Sequence, residues 1–95
     1  MPHYCYILHC ADDRYDVGAT ADVSRRLAAH RSGWVPSTRR RRPVALAYYE
    51  VHPTAAAASQ RERSLKHGRI RKATREQLVR TFPSVRLTLF DGAGR

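Results

Sequence analysis

The N-terminal segment constrains the fold most, because it has the pattern of a β-hairpin. Residues 3–10, HYCYILHC, are rich in aromatic and branched side chains and place two alternating sets of side chains along the segment. The segment ADD supplies turn chemistry, and RYDVGA returns as a second short strand that ends at Gly18. We therefore expect an antiparallel pair whose first strand is partly covered on both faces.

The middle of the chain has the signals of a helix followed by a third strand. Thr20 or Asp22 can cap a helix over DVSRRLAAHRSG, which stops at Gly33. Residues 44–51, VALAYYEV, predict the third strand. Between these two elements, WVPSTRRRRP has no apolar period and carries an arginine run bounded by prolines, which predicts an exposed basic loop.

The C-terminal half is predicted to be mainly helical. TAAAASQRERSLKHG favours a helix from a Thr54 cap to Gly68. A capping-box pattern that begins at Thr74 predicts a third helix before Pro83, after a basic connector, and residues 84–95 can add a short strand before a frayed tail. The predicted order is ββαβα plus a C-terminal helix, an α/β (α+β) arrangement of a three-stranded antiparallel sheet flanked by helices.

A chain of 95 residues supports one small core, which we assign to a single domain over residues 1–80 with a C-terminal extension over 81–95. No apolar run approaches the ~18 residues of a membrane span. The segment MPHYCYILHC lacks a charged leader and a cleavage site, so we expect a soluble, cytoplasmic protein. Cys5 and Cys10 should point to opposite faces of one strand, which argues against a disulfide, and no second Cys or His pair has zinc-ligand spacing.

The charge balance points to a polyanionic partner. Eighteen Lys and Arg against eight Asp and Glu give a formal net charge of +10. Arginine dominates, and its planar guanidinium can hold a phosphate through two hydrogen bonds, which favours nucleic acid over membrane. The alternatives are that the basic surface only aids solubility, or that the arginine content reflects a GC-rich genome. The candidate nucleic-acid contacts are Arg39, Arg40, Arg41, Arg42 and Lys66.

Arg26 and His30 lie four residues apart, so they share one face of the first helix. Together they can bind a phosphate. Arg26 offsets its negative charge, and His30, as a histidine that titrates near neutrality, can donate or accept a proton or form a hydrogen bond to the phosphate. The alternative is structural: Arg26 pairs with Asp22, and His30 packs against Leu27.

Glu62 also has two interpretations. Lys66 follows four residues later in the orientation of a helix-stabilising ion pair. As a hard oxygen ligand, Glu62 can instead hold Mg²⁺, which takes one or two carboxylates and leaves its other positions to water and substrate phosphate. Most of the other acids look like turn or capping residues. No glycine-rich phosphate loop, G-x-S-x-G elbow or H-E-x-x-H motif is present, so no organic cofactor is indicated.

Several segments, in this order, resemble the small stand-alone GIY-YIG endonuclease-like proteins of bacteria: YCYIL, YDVGAT, R-x-x-x-H, RRPVALAYYE and RERSLK. The resemblance spans roughly residues 4 to 66 and loosens afterwards. It implies a small α/β sandwich with a three-stranded antiparallel sheet. It also implies an endonuclease that hydrolyses phosphodiester bonds of nucleic acid, DNA in our prediction, with a single Mg²⁺ or Mn²⁺.

The resemblance assigns roles residue by residue. Tyr6 matches the tyrosine of the first motif and Gly18 the glycine of the second. Arg26 matches the phosphate-stabilising arginine, and His30 the active-site histidine. Glu62 matches the single metal-binding glutamate.

Asp16 departs from the family pattern, because it stands where the second motif has a tyrosine. Three interpretations remain open. Ionised at neutral pH, Asp16 can serve as a base or a second metal ligand. A local bulge can instead rotate Tyr15 into the site. Or the site is damaged, and the added negative charge repels the substrate phosphate.

Two alternatives to an endonuclease remain open for the whole protein. One is a catalytically degenerate nucleic-acid-binding module, and the other is a basic scaffold on structured RNA.

Overall fold

A computed structural model describes residues 1–66 and 69–90, including all side chains in these ranges except those of residues 69 and 70. The elements are strands β1 His3–Cys10 and β2 Tyr15–Thr20, helix α1 Val23–Arg31, strand β3 Val44–His52, and helices α2 Ala55–Lys66 and α3 Arg69–Thr81. Two 3₁₀ segments cover Arg39–Arg41 and Ser84–Leu89. The predicted order of strands and helices is confirmed.

The three strands form one antiparallel sheet in the order β2-β1-β3. Tyr6 of β1 is the register partner of Gly18 on one side and of Tyr49 on the other. The β1–β2 register runs without interruption, whereas the β1–β3 register shifts between Ile7 and Leu8. The central strand is therefore β1, and both of its faces are covered.

The two faces hold two separate clusters of buried residues. The first lies between the sheet and α1 and contains Tyr6, Leu8, Cys10, Val23, Leu27, Val44, Leu46 and Tyr49. The second lies under α2 and α3 and contains Cys5, Ile7, Val17 and Leu65. Alternate residues of β1 enter alternate clusters, as the period of a strand requires. The two cysteines are buried on opposite faces and free, as expected.

Helix α1 begins where the sequence predicts. Of the two candidate caps, Asp22 is the one used, and its carboxylate accepts the backbone N–H of Arg25 at 3.0 Å. The chain leaves the helix through Gly33, whose φ of 86° is in the left-handed region that favours glycine.

The prediction for the start of the third helix was wrong. Helix α3 begins at Arg69, so Thr74 lies inside it and does not cap it. Packing explains the earlier start: Arg75 donates from Nη1 to the Leu65 carbonyl at 2.6 Å, and Leu78 packs against the second cluster. The predicted helix stop at Gly68 lies outside the described residues.

Residues 84–89 form a 3₁₀ helix, so the prediction of a short strand there was also wrong. Phe82, Leu87 and Phe90 pack against the first cluster, and the Tyr49 hydroxyl donates to the Arg86 carbonyl at 2.9 Å. Apolar packing onto Tyr49 thus takes the place of strand pairing. The frayed tail predicted after that strand extends into residues 91–95, which lie outside the described residues. Within the described ranges, no helix has the length and apolar character needed to cross a membrane.

Candidate active site

The hydroxyl of Tyr6 is the centre of a polar cluster inside the first apolar cluster. Tyr6 is 3% exposed, so its hydroxyl needs partners within the protein. Arg26 donates from Nε to this oxygen at 3.4 Å, and Nε2 of His30 lies 2.9 Å from it. Helix α1 therefore brings the arginine and the histidine, one turn apart, to the same oxygen of β1.

His30 is held from its other side by Thr38. The residues are 1% and 0% exposed, and Nδ1 of His30 lies 2.7 Å from Oγ1 of Thr38. A neutral imidazole has one donor and one acceptor nitrogen. The arrangement in which Tyr6 accepts from Arg26 and donates to Nε2 of His30 puts the imidazole proton on Nδ1, where it is donated to Thr38. The four residues then form one directed chain of hydrogen bonds.

Burial keeps both central groups neutral at neutral pH. Loss of solvation is the main cause that lowers the pKa of His30; Asp16 opposes this shift and Arg26 adds to it. Loss of solvation also raises the pKa of Tyr6, against the opposing influence of Arg26. The site therefore contains a neutral phenol hydrogen-bonded to a neutral imidazole.

Gly18 makes room for the Tyr6 ring. A Cβ built on Gly18 would lie 2.9 Å from Cε2 of Tyr6 and would overlap the hydroxyl oxygen. The ring thus occupies the space that any other residue at position 18 would fill. The second-motif glycine is required here by close approach, and not by its backbone conformation.

Asp16 lies on the same face of the sheet as Tyr6. Because the β1–β2 register is uninterrupted, residues 16 and 18 both point toward α1, and the proposal that a bulge rotates Tyr15 into the site was wrong. Tyr15 packs against the second cluster instead. The Asp16 carboxylate is 3.8 Å from Nη1 of Arg41, and its side chain is 14% exposed.

Glu62 forms an ion pair within its own helix. It lies on α2, next to the second apolar cluster, and Nζ of Lys66 donates to its Oε2 at 3.1 Å. Its side chain is 23% exposed. Its charge is among the smaller causes that raise the pKa of Tyr6, although no hydrogen bond joins it to Tyr6, Arg26 or His30 in the described ranges.

The donor set fits a hard divalent cation held by a single carboxylate. No group of three or more His, Cys, Asp and Glu among the described residues could hold a metal ion. That excludes, for this part of the chain, a zinc site made only of such side chains. Magnesium keeps several waters and uses substrate phosphate as a ligand, so Glu62 alone is compatible with it.

The arginine run is more than the exposed loop that the sequence predicts. Nε of Arg41 bonds Asp12 at 2.9 Å, and Arg39 and Arg42 donate to backbone carbonyls. Arg31 and Arg40 line a cavity together with Arg39 and Arg42. The sequence analysis missed Arg31, although it directly follows His30.

Two further polar residues were missed. Thr38 carries no motif signal, and only its burial beside His30 identifies it. Glu50 is a strand residue and not a turn or capping residue: its carboxylate contacts Tyr48, His52 and Arg61. Loss of solvation would raise the pKa of Glu50, but the hydrogen bonds from these partners lower it overall. This group lies on the sheet face opposite Tyr6.

Comparison with known proteins supports the family resemblance. The model of the GIY-YIG catalytic domain matches residues 2–75. A UPF0213 protein of Natronomonas pharaonis is 41% identical over 78 residues, covering 81% of this chain and 89% of that protein. A UPF0213 protein of Bacillus pumilus is 45% identical over 65 residues, covering 67% of this chain and 66% of that protein. The solution NMR structure of a UPF0213 protein from Bacillus halodurans matches with a TM-score of 0.55 and 33% identity, over 99% of this chain and 100% of that one.

Proposed function

The chain belongs to the GIY-YIG catalytic domain family, and we propose that it is an endonuclease that hydrolyses phosphodiester bonds of DNA with one divalent cation. The observation that carries the proposal is the chain of hydrogen bonds that leads from the exposed Arg26 through the buried Tyr6 and His30 to Thr38. Such a chain orders a proton acceptor beside a cationic group, which is what phosphodiester hydrolysis requires.

In this mechanism Arg26 binds the scissile phosphate. It is exposed on α1, while its Nε reaches the Tyr6 hydroxyl. A guanidinium has five N–H donors, so the bond to Tyr6 leaves others for phosphate oxygens. Arg26 thereby holds the negatively charged phosphate next to Tyr6. Its positive charge also stabilises the negative charge that develops on the phosphorane.

Tyr6 and His30 together accept the proton of the attacking water. The Tyr6 oxygen takes a proton from water while its own proton passes to Nε2 of His30, so no free phenolate forms. The imidazole can receive this proton because burial keeps it neutral. Thr38 accepts from Nδ1–H throughout and holds the ring in this tautomer.

Asp16 supports the protonated state of His30 in this scheme. Its negative charge raises the pKa of His30 against the effect of burial, and so stabilises the imidazolium that the reaction forms. This role needs only proximity and charge. Electrostatic support of His30 differs from the role of a base or a metal ligand. It accounts for the presence of an acidic residue at position 16 of β2.

Glu62 would hold the divalent cation. When bound, Mg²⁺ or Mn²⁺ supplies positive charge at the scissile phosphate. For the carboxylate to take that role, Lys66 must share or release the oxygen that it now contacts. That contact is also the observation that favours the second candidate, a catalytically degenerate nucleic-acid-binding module.

The deciding experiment is a cleavage assay with Mg²⁺ on single-stranded, duplex and branched DNA. Wild type is compared with Tyr6→Phe, which keeps the ring and removes the hydroxyl. We expect metal-dependent cleavage by wild type and its loss in Tyr6→Phe at unchanged binding. Binding without metal-dependent cleavage of any of these substrates would favour the degenerate module.

A further inference from the structure

We propose that the loop after α1 forms a second subsite that binds an unpaired nucleotide: Trp34 stacks on the base, and an adjacent arginine cavity holds a backbone phosphate. This inference rests on the proposed function and names its substrate class, nucleic acid with unpaired nucleotides. The subsite is distinct from the Tyr6 cluster in its residues and takes no part in the chemistry.

The cavity has a volume of about 510 Å³ and is strongly basic. Its lining consists of Arg31, Arg39, Arg40, Arg42, Pro43 and Val44. Four arginine side chains thus line one concave surface, and no acidic residue of the described ranges is among its lining residues. Such a lining selects for a phosphate-bearing ligand.

Backbone carbonyls orient two of these guanidinium groups. Arg42 donates from Nε to the Arg39 carbonyl at 3.0 Å and from Nη1 to the Arg31 carbonyl at 3.2 Å. Arg39 donates from Nε to the Gly33 carbonyl at 3.0 Å. Carbonyls fix the side chains without cancelling their charge, and each guanidinium has further N–H donors. The cavity is therefore ordered for an anion before the anion arrives.

Trp34 adds an aromatic surface beside the cavity. Its backbone N–H donates to the Ala29 carbonyl at 3.0 Å, which anchors the residue, while 79% of the residue is exposed. It directly follows Gly33, whose carbonyl binds Arg39 and whose Cα faces the Arg42 guanidinium. An exposed aromatic ring next to ordered cations is how proteins bind single-stranded nucleic acid. Inside a duplex each base is stacked on both faces and offers no free face to such a ring, so the proposed ligand contains unpaired nucleotides.

The same loop ties this subsite to the Tyr6 cluster. Arg31 directly follows His30, and Thr38, between Trp34 and the arginine run, binds the His30 ring. A strand held at Trp34 and the cavity is therefore adjacent to the end of α1 that carries His30.

An anionic membrane surface is the other polyanion that a basic surface with an exposed tryptophan could meet. Membrane insertion needs a contiguous apolar patch. The other large exposed apolar residues of the described chain are Met1, Val51, Val85 and Leu89, and none of them lines the arginine cavity. The surroundings of Trp34 therefore favour nucleic acid.

Trp34 is the one tryptophan of the chain, so its fluorescence reports on this subsite directly. The protein is titrated in EDTA, which prevents metal-dependent cleavage, with oligo-dT, with a blunt-ended duplex of two complementary strands, and with phosphatidylserine vesicles. We expect saturable quenching by oligo-dT, little quenching by the duplex, and no blue shift with vesicles. A blue shift with vesicles and no quenching by oligo-dT would overturn the proposal in favour of a membrane contact.

Variants then separate stacking from charge, with affinity measured by anisotropy of labelled oligonucleotides. Trp34→Leu should weaken oligo-dT binding about tenfold and leave duplex binding unchanged. Arg40→Gln should weaken oligo-dT binding more than Arg80→Gln, an equal charge change on an exposed residue of α3. Unchanged oligo-dT affinity in Trp34→Leu would refute the subsite. Quenching by oligo-dT in a protein that never cleaves would keep the subsite and reject the proposed activity.

Discussion

The Tyr6 hydroxyl occupies the space that a side chain at Gly18 would need. The two residues are register partners on neighbouring strands, and an added Cβ would overlap the hydroxyl oxygen and lie 2.9 Å from Cε2. The hydroxyl also lies 2.9 Å from Nε2 of His30. The absence of a side chain on β2 thus sets the position of the oxygen at the centre of the site.

Gly18→Ala is expected to displace the Tyr6 ring and to break its hydrogen bond with His30. Cleavage should fall at least as far as in Tyr6→Phe, and adding Gly18→Ala to Tyr6→Phe should cost no further activity, because both changes act on one hydroxyl. Single-turnover rates of the two variants and their combination test this. Full activity in Gly18→Ala would show that the hydroxyl does not take part.

Thr38→Val is expected to lower kcat with little change in KM, because it frees the His30 ring without touching the phosphate contacts. It also leaves the buried Nδ1–H without an acceptor, which should lower the free energy of unfolding by about 1–3 kcal/mol. Thr38→Ser restores the hydroxyl and should restore kcat. If the Thr38→Val and Thr38→Ser variants have equal kcat, the hydroxyl of Thr38 has no role in positioning His30, and the residue serves packing only.

The lowered pKa of His30 makes a prediction about stability. Below about pH 6.5 the unfolded chain binds a proton at this residue, while the folded protein does not until the pH falls to its lower pKa. The free energy of unfolding should therefore fall as pH decreases from 6.5 through that window. His30→Gln should remove this part of the slope in urea denaturation series. An identical slope in the variant would contradict the assignment.

Glu62→Gln is expected to abolish metal-stimulated cleavage and to leave binding and most of the stability intact. The matched control is Glu76→Gln, the same change at an exposed position of α3, which should leave cleavage unchanged. Rates across a Mg²⁺ titration and thermal unfolding check both effects. If Glu62→Gln lowers stability and keeps the rate per folded molecule, its ion pair with Lys66 is the whole of its role.

Asp16 can be tested by removing its charge and by restoring the family residue. If its charge supports His30, or if it acts as base or ligand, Asp16→Asn should lose activity under single-turnover conditions with Mg²⁺. If the site is damaged, wild type should be nearly inert and Asp16→Tyr should gain cleavage by relieving repulsion of the phosphate. Whichever role Asp16 has, Asp16→Asn should lower the pKa of His30 further, because the charge of Asp16 raises that pKa, and NMR titration of the His30 ring checks this.

Local patterns in the sequence were sufficient to predict most of the fold and part of the site. The alternation of residues 3–10 predicted β1, and the four-residue spacing of Arg26 and His30 predicted their shared helix face. Both patterns follow from backbone periods of two and 3.6 residues, which act within one element. The helix start predicted from the capping pattern at Thr74 was wrong, because α3 begins at Arg69. Packing of Leu78 against the second cluster outweighs a local capping preference.

Contacts between distant segments were decided by the tertiary structure alone. Tyr6 meets His30 across 24 residues, and Arg41 of the basic loop approaches Asp16 on β2. No local period links such residues, since their meeting depends on how the sheet, α1 and the loop pack together. The sequence determined which residues could carry the chemistry. Burial then decided that His30 is neutral, that Thr38 holds it, and that Asp16 and not Tyr15 shares the face of Tyr6.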